Sequence, residues 1–173
     1  MLSIGFVIVI SSEMVDSFLS FEFGFTDKQM GVLWSVIFIV SAFASQLTPA
    51  INKLLGLKKS LLVVGVVMAV TFIVSPYIGL ILGGASLILR SSLQGIFGNL
   101  SSVIVNNNTE SKYRATTIST FNMLKNIPYL LMAYFIGSVS DLISAKNVSM
   151  YLGIALVILL AIRVFRSKRN ATI

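Results

Sequence analysis

The feature that most limits the fold is a series of six long apolar stretches separated by short polar turns. A bilayer core about 30 Å thick requires roughly 20 helical residues to cross it, and these stretches reach or approach that length. Charged residues make up 11% of the chain, whereas a soluble domain carries about 25%. We therefore expect an all-α integral membrane protein with one transmembrane domain. The predicted spans are residues 1–21, 29–50, 58–76, 78–105, 115–137 and 148–166.

Basic residues are concentrated in three polar stretches, and each stretch is separated from the next by two apolar spans. The residues of these clusters are Lys53, Lys58, Lys59, Lys112, Arg114, Arg163, Arg166, Lys168 and Arg169. The other polar turns contain only two lysines, Lys28 and Lys146, together with the acidic residues Glu22, Asp27 and Asp141. Because loops on the cytoplasmic side of a membrane are enriched in Lys and Arg, this distribution predicts a multi-pass protein of the cell membrane with both termini cytoplasmic.

Residue types that are missing from the sequence exclude several chemistries. The chain has no cysteine and no histidine, which excludes disulfides, thiolate nucleophiles, Cys/His metal sites and imidazole catalysis. Gly95 and Gly98 do not have the spacing of a phosphate-binding loop. We therefore expect neither an enzyme nor a cofactor or metal. The net charge of +7 lies largely in loops between spans, so the expected partner is the lipid bilayer and not a nucleic acid.

Local signals refine the limits of the spans. Thr26 and Gln29 have the spacing of a capping box, which predicts a helix that starts between them. Pro76 predicts a tight turn between the third and fourth spans. Pro49 and Pro128 lie inside apolar runs, where each removes a backbone hydrogen bond and is expected to kink its helix.

The spans differ in polarity. The third and sixth are apolar on every face, as expected of helices with extensive lipid contact. The first, fourth and fifth carry polar or charged residues within the apolar run, which predicts that they lie inside the bundle. The candidates for contact with a substrate or a coupling ion are Glu13, Asp16, Arg90, Gln94, Asn122, Lys125 and Asn126.

Charged side chains within a span need a compensating environment. A charge at the bilayer centre costs at least ~2.5–3.5 kcal/mol, and the two acids and two bases of this set favour pairing between helices. The residues alone leave other roles open. Glu13 and Asp16 are also compatible with an interfacial position, and the long side chains of Arg90 and Lys125 with snorkelling to the interface. A purely structural buried ion pair is a further alternative.

Three segments resemble parts of one transporter family. Residues 26–31 (TDKQMG) resemble the start of the eighth helix of major facilitator superfamily (MFS) transporters. Residues 106–119, ending in RATTIS, resemble the loop before the eleventh helix of that family, and residues 137–141 (GSVSD) resemble the end of that helix. With this spacing, the chain resembles the C-terminal six-helix half of an MFS transporter.

The resemblance implies a fold and a function. It implies one MFS-type half bundle built from two inverted three-helix repeats, with a site near the bilayer midplane, and an N-terminal half that is not part of this sequence. It also implies secondary active transport of a small solute by alternating access, with efflux as one direction. The motif positions on the cytoplasmic side are Gly56, Lys58, Lys59, Arg114, Thr116 and Ser119. Residues 52–59 lack the aspartate usual in the family's gating loop.

On this hypothesis, Arg90 and Lys125 attract an anionic group of the substrate or the carboxylates of Glu13 and Asp16. Either acid is a candidate carrier of a coupling proton. Gln94, Asn122 and Asn126 would supply hydrogen bonds in the cavity.

Two other interpretations stay open. In the first interpretation, the chain is a truncated or split-gene fragment that is inactive alone and needs a separate N-terminal half or a second copy. Alternatively, it is a small membrane interaction or accessory protein whose buried charges bind a span of its partner.

Overall fold

A computed structural model describes residues 2–169, apart from the side chains of Asp141 and of residues 166–169. The side chains of Arg166, Lys168 and Arg169 in the third basic cluster thus lie outside the described residues. Within them the regular structure is entirely helical, which confirms the all-α prediction. The helices are α1 (Leu2–Glu22), α2 (Asp27–Gln46), α3 (Thr48–Leu55), α4 (Leu57–Ile73), α5 (Leu80–Asn107), α6 (Arg114–Ile143) and α7 (Ala145–Arg169).

The helices are consistent with an integral membrane protein. Four segments are long and apolar enough to cross a bilayer, namely α1, α2, α5 and the Ala145–Phe165 part of α7. The bent pair α3 and α4 adds a fifth candidate if the pair is one span. Helix α6, which contains the predicted fifth span, is not among these candidates in the described part of the chain. The number of candidate spans is therefore four or five, and six stays a prediction.

Helix ends follow local chemistry in α2 and α3. The backbone N–H of Thr26 donates to Gln29 Oε1 at 2.9 Å, and the Gln29 N–H donates to Thr26 Oγ1 at 3.5 Å. These two bonds confirm the capping box at the start of α2. Pro49 lies in the first turn of α3, where proline is tolerated because that turn lacks intrahelical N–H partners. The disturbance predicted at Pro49 therefore takes the form of a break and not of a kink, since α2 ends at Gln46 and α3 starts at Thr48.

The turn predicted between the last two spans is almost entirely helical. Helix α6 continues to Ile143, and α7 begins at Ala145, with Ser144 alone between them at φ 72°. The carboxylate of Glu22 accepts hydrogen bonds from the backbone N–H groups of Ala145 and of Lys146, the latter at 3.0 Å. A carboxylate from α1 therefore accepts hydrogen bonds from the free N–H groups at the start of α7, so that no longer loop is needed to cap this helix.

The bundle is held by three principal helix pairs: α1 with α6, α2 with α5, and α4 with α7. Helix α5 also packs on α4, and α1 packs on α7. At the α4–α7 pair, Gly153 allows very close approach, because an added Cβ would lie 2.8 Å from Phe72 Cβ and 3.0 Å from the Ala69 carbonyl oxygen. Helices α1, α4, α5 and α7 thus form the packed centre, with α2 and α6 at its sides, so the prediction that the fifth span, in α6, lies inside the bundle is wrong.

Candidate functional site

Two of the predicted site residues meet in a buried ion pair. Arg90 on α5 is 1% exposed, and its Nη1 donates to Asp16 Oδ1 on α1 at 2.7 Å. The Asp16 carboxylate also accepts a hydrogen bond from Ser11 Oγ at 3.2 Å. A charge-assisted bond of this length is the strong kind, and it neutralises both groups.

The second guanidinium nitrogen of Arg90 reaches the other two central helices. Its Nη2 donates to the Thr71 carbonyl oxygen at 2.6 Å and to Ser149 Oγ at 3.1 Å, and it also bonds Ser75 Oγ. The guanidinium carbon lies 4.6 Å from the centre of the Phe72 ring, within the range of a cation–π contact. One arginine thus links α5 to α1, to the end of α4 and to the start of α7.

This arrangement resembles a structural clamp more than a binding surface. Each charge is paired and further hydrogen-bonded, with Arg90 Nε left as a buried donor without a partner among the described residues, and both side chains lie between packed helices. Among the alternatives that the sequence left open, the geometry is that of the structural ion pair. Nothing in the sequence marks the partners of Arg90 Nη2, namely Ser75, Ser149 and the Thr71 carbonyl. Small hydroxyls and backbone oxygens are not distinctive within an apolar run.

Glu13 has a different environment from Asp16. Residues Ser11–Val15 form a π-helical turn, which fits about one more residue into each turn and therefore places positions three apart further from a common face than an α-helix does. Asp16 is buried and Glu13 is exposed. The two acids therefore do not share a face, although the spacing of an α-helix predicts that they do.

The neighbours of Glu13 show which way it faces. Ser12 is bound to α5, since Gln94 Nε2 donates to Ser12 Oγ at 2.9 Å. Met14 contacts α6, where its Cε would lie 3.1 Å from a Cβ added to Gly137. Glu13 lies between these two residues on α1 and on the side opposite buried Val15. It therefore faces the gap between α5 and α6.

Lys125 lies on α6, against the same helix α1. Its Cγ would be 3.3 Å from a Cβ added to Gly5, so the lysine stem packs over that glycine. The side chain is partly buried. Among the side chains that the structure describes, no carboxylate forms an ion pair with it. Lys125 is thus a cation within a predicted span whose charge is not neutralised as that of Arg90 is.

Asn122 and Asn126, which flank Lys125 on α6, are both exposed. Their helix packs mainly against α1, so most of its surface lies outside the bundle. The structure therefore brings Gln94 to Ser12 and Arg90 to Asp16, while the two asparagines stay on the open surface near Lys125.

The side of α5 that faces away from the Arg90 clamp is small and polar. Ser91 is bonded to Ser41 of α2, with 2.9 Å between the hydroxyl oxygens, and Asn99 Nδ2 donates to the Ser45 carbonyl oxygen at 3.1 Å. Toward the basic end, a groove of about 500 Å³ opens between α5 and the α2–α3 junction. It is lined by Ser45, Gln46, Thr48, Pro49, Asn52, Asn99, Leu100, Ser102 and Val103.

The motif positions implied for the cytoplasmic side lie at the basic end of the bundle. Gly56 forms the bend between α3 and α4, and Lys58 and Lys59 are exposed in the first turn of α4. Arg114 starts α6, and its Nε donates to the Thr109 carbonyl oxygen at 3.3 Å. Thr116 and Ser119 are exposed on the first turns of α6.

The arrangement as a whole separates two kinds of polar residue. Arg90 and Asp16 bind each other inside the bundle. Glu13, Gln94 and Lys125 instead lie along α1, α5 and α6 on a partly open surface. Such a surface can bind a polar or charged solute through hydrogen bonds and one ion pair. Comparisons with protein-family models, with curated proteins and with solved structures find no match to this chain.

Proposed function

We propose that the chain forms one six-helix half of a secondary transporter of the MFS type, which moves a small solute across the membrane by alternating access. The observation that carries the proposal is the polar surface of α1, α5 and α6, which includes Glu13, Gln94 and Lys125. Polar groups that face lipid are unfavourable. A surface of this kind is useful to a membrane protein when it lines a water-filled path.

The pairing of the helices supports the proposal. Let α1, α2 and α4 be the first three spans, and α5, α6 and α7 the last three. In this division α1 corresponds to α5, α2 to α6 and α4 to α7. The α2–α5 pair then corresponds to the α6–α1 pair, and the α4–α7 pair corresponds to itself. These are the three principal pairs. In the same way, α4–α5 packing corresponds to α7–α1 packing, which is also present. This is the pattern expected of two inverted three-helix repeats.

The site residues divide between two roles in this proposal. Lys125 attracts an anionic group of the solute, and Glu13 is the carboxylate that binds and releases a coupling proton. Gln94 and Asn122 donate hydrogen bonds to the solute. Arg90 and Asp16 do not contact the solute, because their pair holds α1 and α5 in register within the half bundle.

The open surface also requires a second half in the membrane. A second copy of the chain or a separate six-helix partner would cover Asn122, Asn126 and Lys125 and would close the path on its other side. Both partners are compatible with the exposed flanks of α2 and α6.

A proteoliposome assay tests the proposal. Purified protein is reconstituted with the pH-sensitive dye pyranine inside, and a panel of small anionic and neutral solutes is added under an imposed membrane potential. We expect at least one anionic solute to change the internal pH faster than in protein-free liposomes. Lys125→Ala is expected to abolish binding of the anion, and Glu13→Gln to abolish the proton flux.

Lys28→Ala is the matched control, because Lys28 is exposed at the start of α2, a helix that is not part of this surface. Its transport rate should equal that of the unmodified chain. A solute-dependent signal that survives both Lys125→Ala and Glu13→Gln would contradict the assignment of the site.

A further inference from the structure

We propose that α3, with the lysines that flank its bend, lies in the membrane interface and binds lipids with anionic headgroups. This site is separate from the polar surface of α1, α5 and α6. It rests only on the helices crossing a bilayer and does not depend on transport.

The bend at Gly56 sets the direction of α3. Helices α3 and α4 meet at an angle of 114°, so α3 is inclined by about 24° (114° minus 90°) to the membrane surface when α4 stands along the bilayer normal. Gly56 has φ 73° and ψ 157°, a conformation that glycine adopts without the steric cost that a residue with a side chain incurs. The bend is therefore built into the sequence.

A buried hydroxyl holds the bend in place. Ser60 is fully buried, and its Oγ contacts the carbonyl oxygens of Gly56 at 2.9 Å and of Ile51 at 3.3 Å. The Ile51 side chain packs against the apolar core. The inner face of α3 is thereby attached to the bundle, and its orientation is fixed relative to α4.

The outer face of α3 combines apolar and basic side chains. Leu54 is 82% exposed, and Leu47, just before the helix, is 56% exposed. Lys53 precedes Leu54 directly and is also exposed, as are Lys58 and Lys59 just beyond the bend. A single exposed leucine is ordinary on a protein surface. Here Leu47 and Leu54 lie just before and on a short helix, beside one exposed lysine on that helix and two just beyond its bend. This is the pattern of an interfacial amphipathic segment.

The charge of this face selects the occupant. The cluster of Lys53, Lys58 and Lys59 contains no acidic residue from position 48 to 60, so its field attracts anions. Each basic residue near an anionic membrane surface favours binding by about fivefold. The leucines require an apolar phase beside the charges, which a free phosphate ion does not offer and a lipid does. The occupant that satisfies both is an anionic phospholipid.

Fluorescence quenching tests this proposal. The chain has one tryptophan, so the double substitution Trp34→Phe and Leu54→Trp places the only indole on α3. The full chain is reconstituted in phosphatidylcholine bilayers with an equal fraction of either brominated phosphatidylglycerol or brominated phosphatidylcholine. We expect a blue-shifted emission and quenching that is at least about twofold stronger with brominated phosphatidylglycerol. Adding Lys53→Gln, Lys58→Gln and Lys59→Gln should remove this preference but keep the blue shift.

A second position serves as the control for non-selective quenching. Val66 is half-exposed in the middle of α4, so Val66→Trp in the Trp34→Phe background should be quenched equally by the two brominated lipids. Emission from the Leu54→Trp variant at the wavelength of indole in water, without quenching by either lipid, would overturn the interfacial position. Equal quenching by both lipids at that site would overturn the selection of anionic headgroups.

Discussion

At the scale of single residues, Arg90 shows how a charge is accommodated inside an apolar bundle. Its guanidinium has several donors in a fixed geometry, and one nitrogen is used on Asp16 while another is used on α4 and α7. A lysine could not satisfy these partners, since its ammonium is a single point on a flexible stem. The arginine is therefore a structural element of this fold.

We expect Arg90→Ala to lower the free energy of unfolding by about 3–5 kcal/mol, because it leaves the Asp16 carboxylate buried without its partner. Asp16→Ala should lower it by a similar amount, because it leaves the Arg90 guanidinium buried without its partner. The double variant should lose clearly less than the sum of the two single losses. Unfolding of the purified protein in mixed micelles by increasing detergent fraction measures all three, and strictly additive losses would contradict the pairing.

Sequence reasoning identified the charged residues of the spans but could not assign their partners. Arg90 and Lys125 are alike in the sequence, since each is a base within an apolar run. They differ because Asp16 is turned toward α5 while Glu13 is turned toward the gap between α5 and α6. That difference arises from the π-helical turn at Ser11–Val15, which no residue type in the segment specifies.

At the scale of elements, the helices were largely predictable and their junctions were not. Long apolar runs and the capping box at Thr26 determine where α1, α2, α5 and α7 lie. Gly56 permits the bend after α3, but the direction of α3 depends on the packing of Ile51 and Ser60, which the local pattern does not reveal. The near-absence of a turn between α6 and α7 depends on a cap from Glu22, more than 120 residues away.

The close contact of α4 and α7 leads to an element-scale prediction. Gly153→Ala should reduce the stability by about 1–3 kcal/mol, because the new methyl group would overlap atoms of Phe72 and the Ala69 carbonyl. Gly98→Ala is the matched control, since a Cβ added at Gly98 meets no atom within 4 Å. The same detergent titration measures both variants. A Gly153→Ala protein as stable as the Gly98→Ala protein would contradict the packing of this pair.

At the scale of the whole molecule, the number of spans depends on α6. It is 30 residues long and therefore long enough to cross a bilayer, yet its first turns are polar. The absence of cysteine from the sequence allows single cysteines to report the side of the membrane directly.

We predict that Asn108→Cys and Leu142→Cys react with an impermeant thiol reagent from opposite sides of sealed vesicles, because α6 separates them. Tyr77→Cys should react from the same side as Leu142→Cys, since two spans, α5 and α6, lie between those positions and together return the chain to the same side. Reaction of Asn108→Cys and Leu142→Cys from one side only would show that α6 does not cross, and would reduce the number of spans.

The central claim is that the surface around Gln94 lines a water path that opens to each side in turn. The direct measurement is labelling of Gln94→Cys by an impermeant thiosulfonate reagent, applied separately to right-side-out and inside-out vesicles, because only a water-exposed cysteine forms the reactive thiolate. Val157→Cys is the control, on an exposed apolar face of α7. We expect labelling of Gln94→Cys from both sides and of Val157→Cys from neither. Gln94→Cys that stays unlabelled, or that reacts from one side under all conditions, would contradict the central claim.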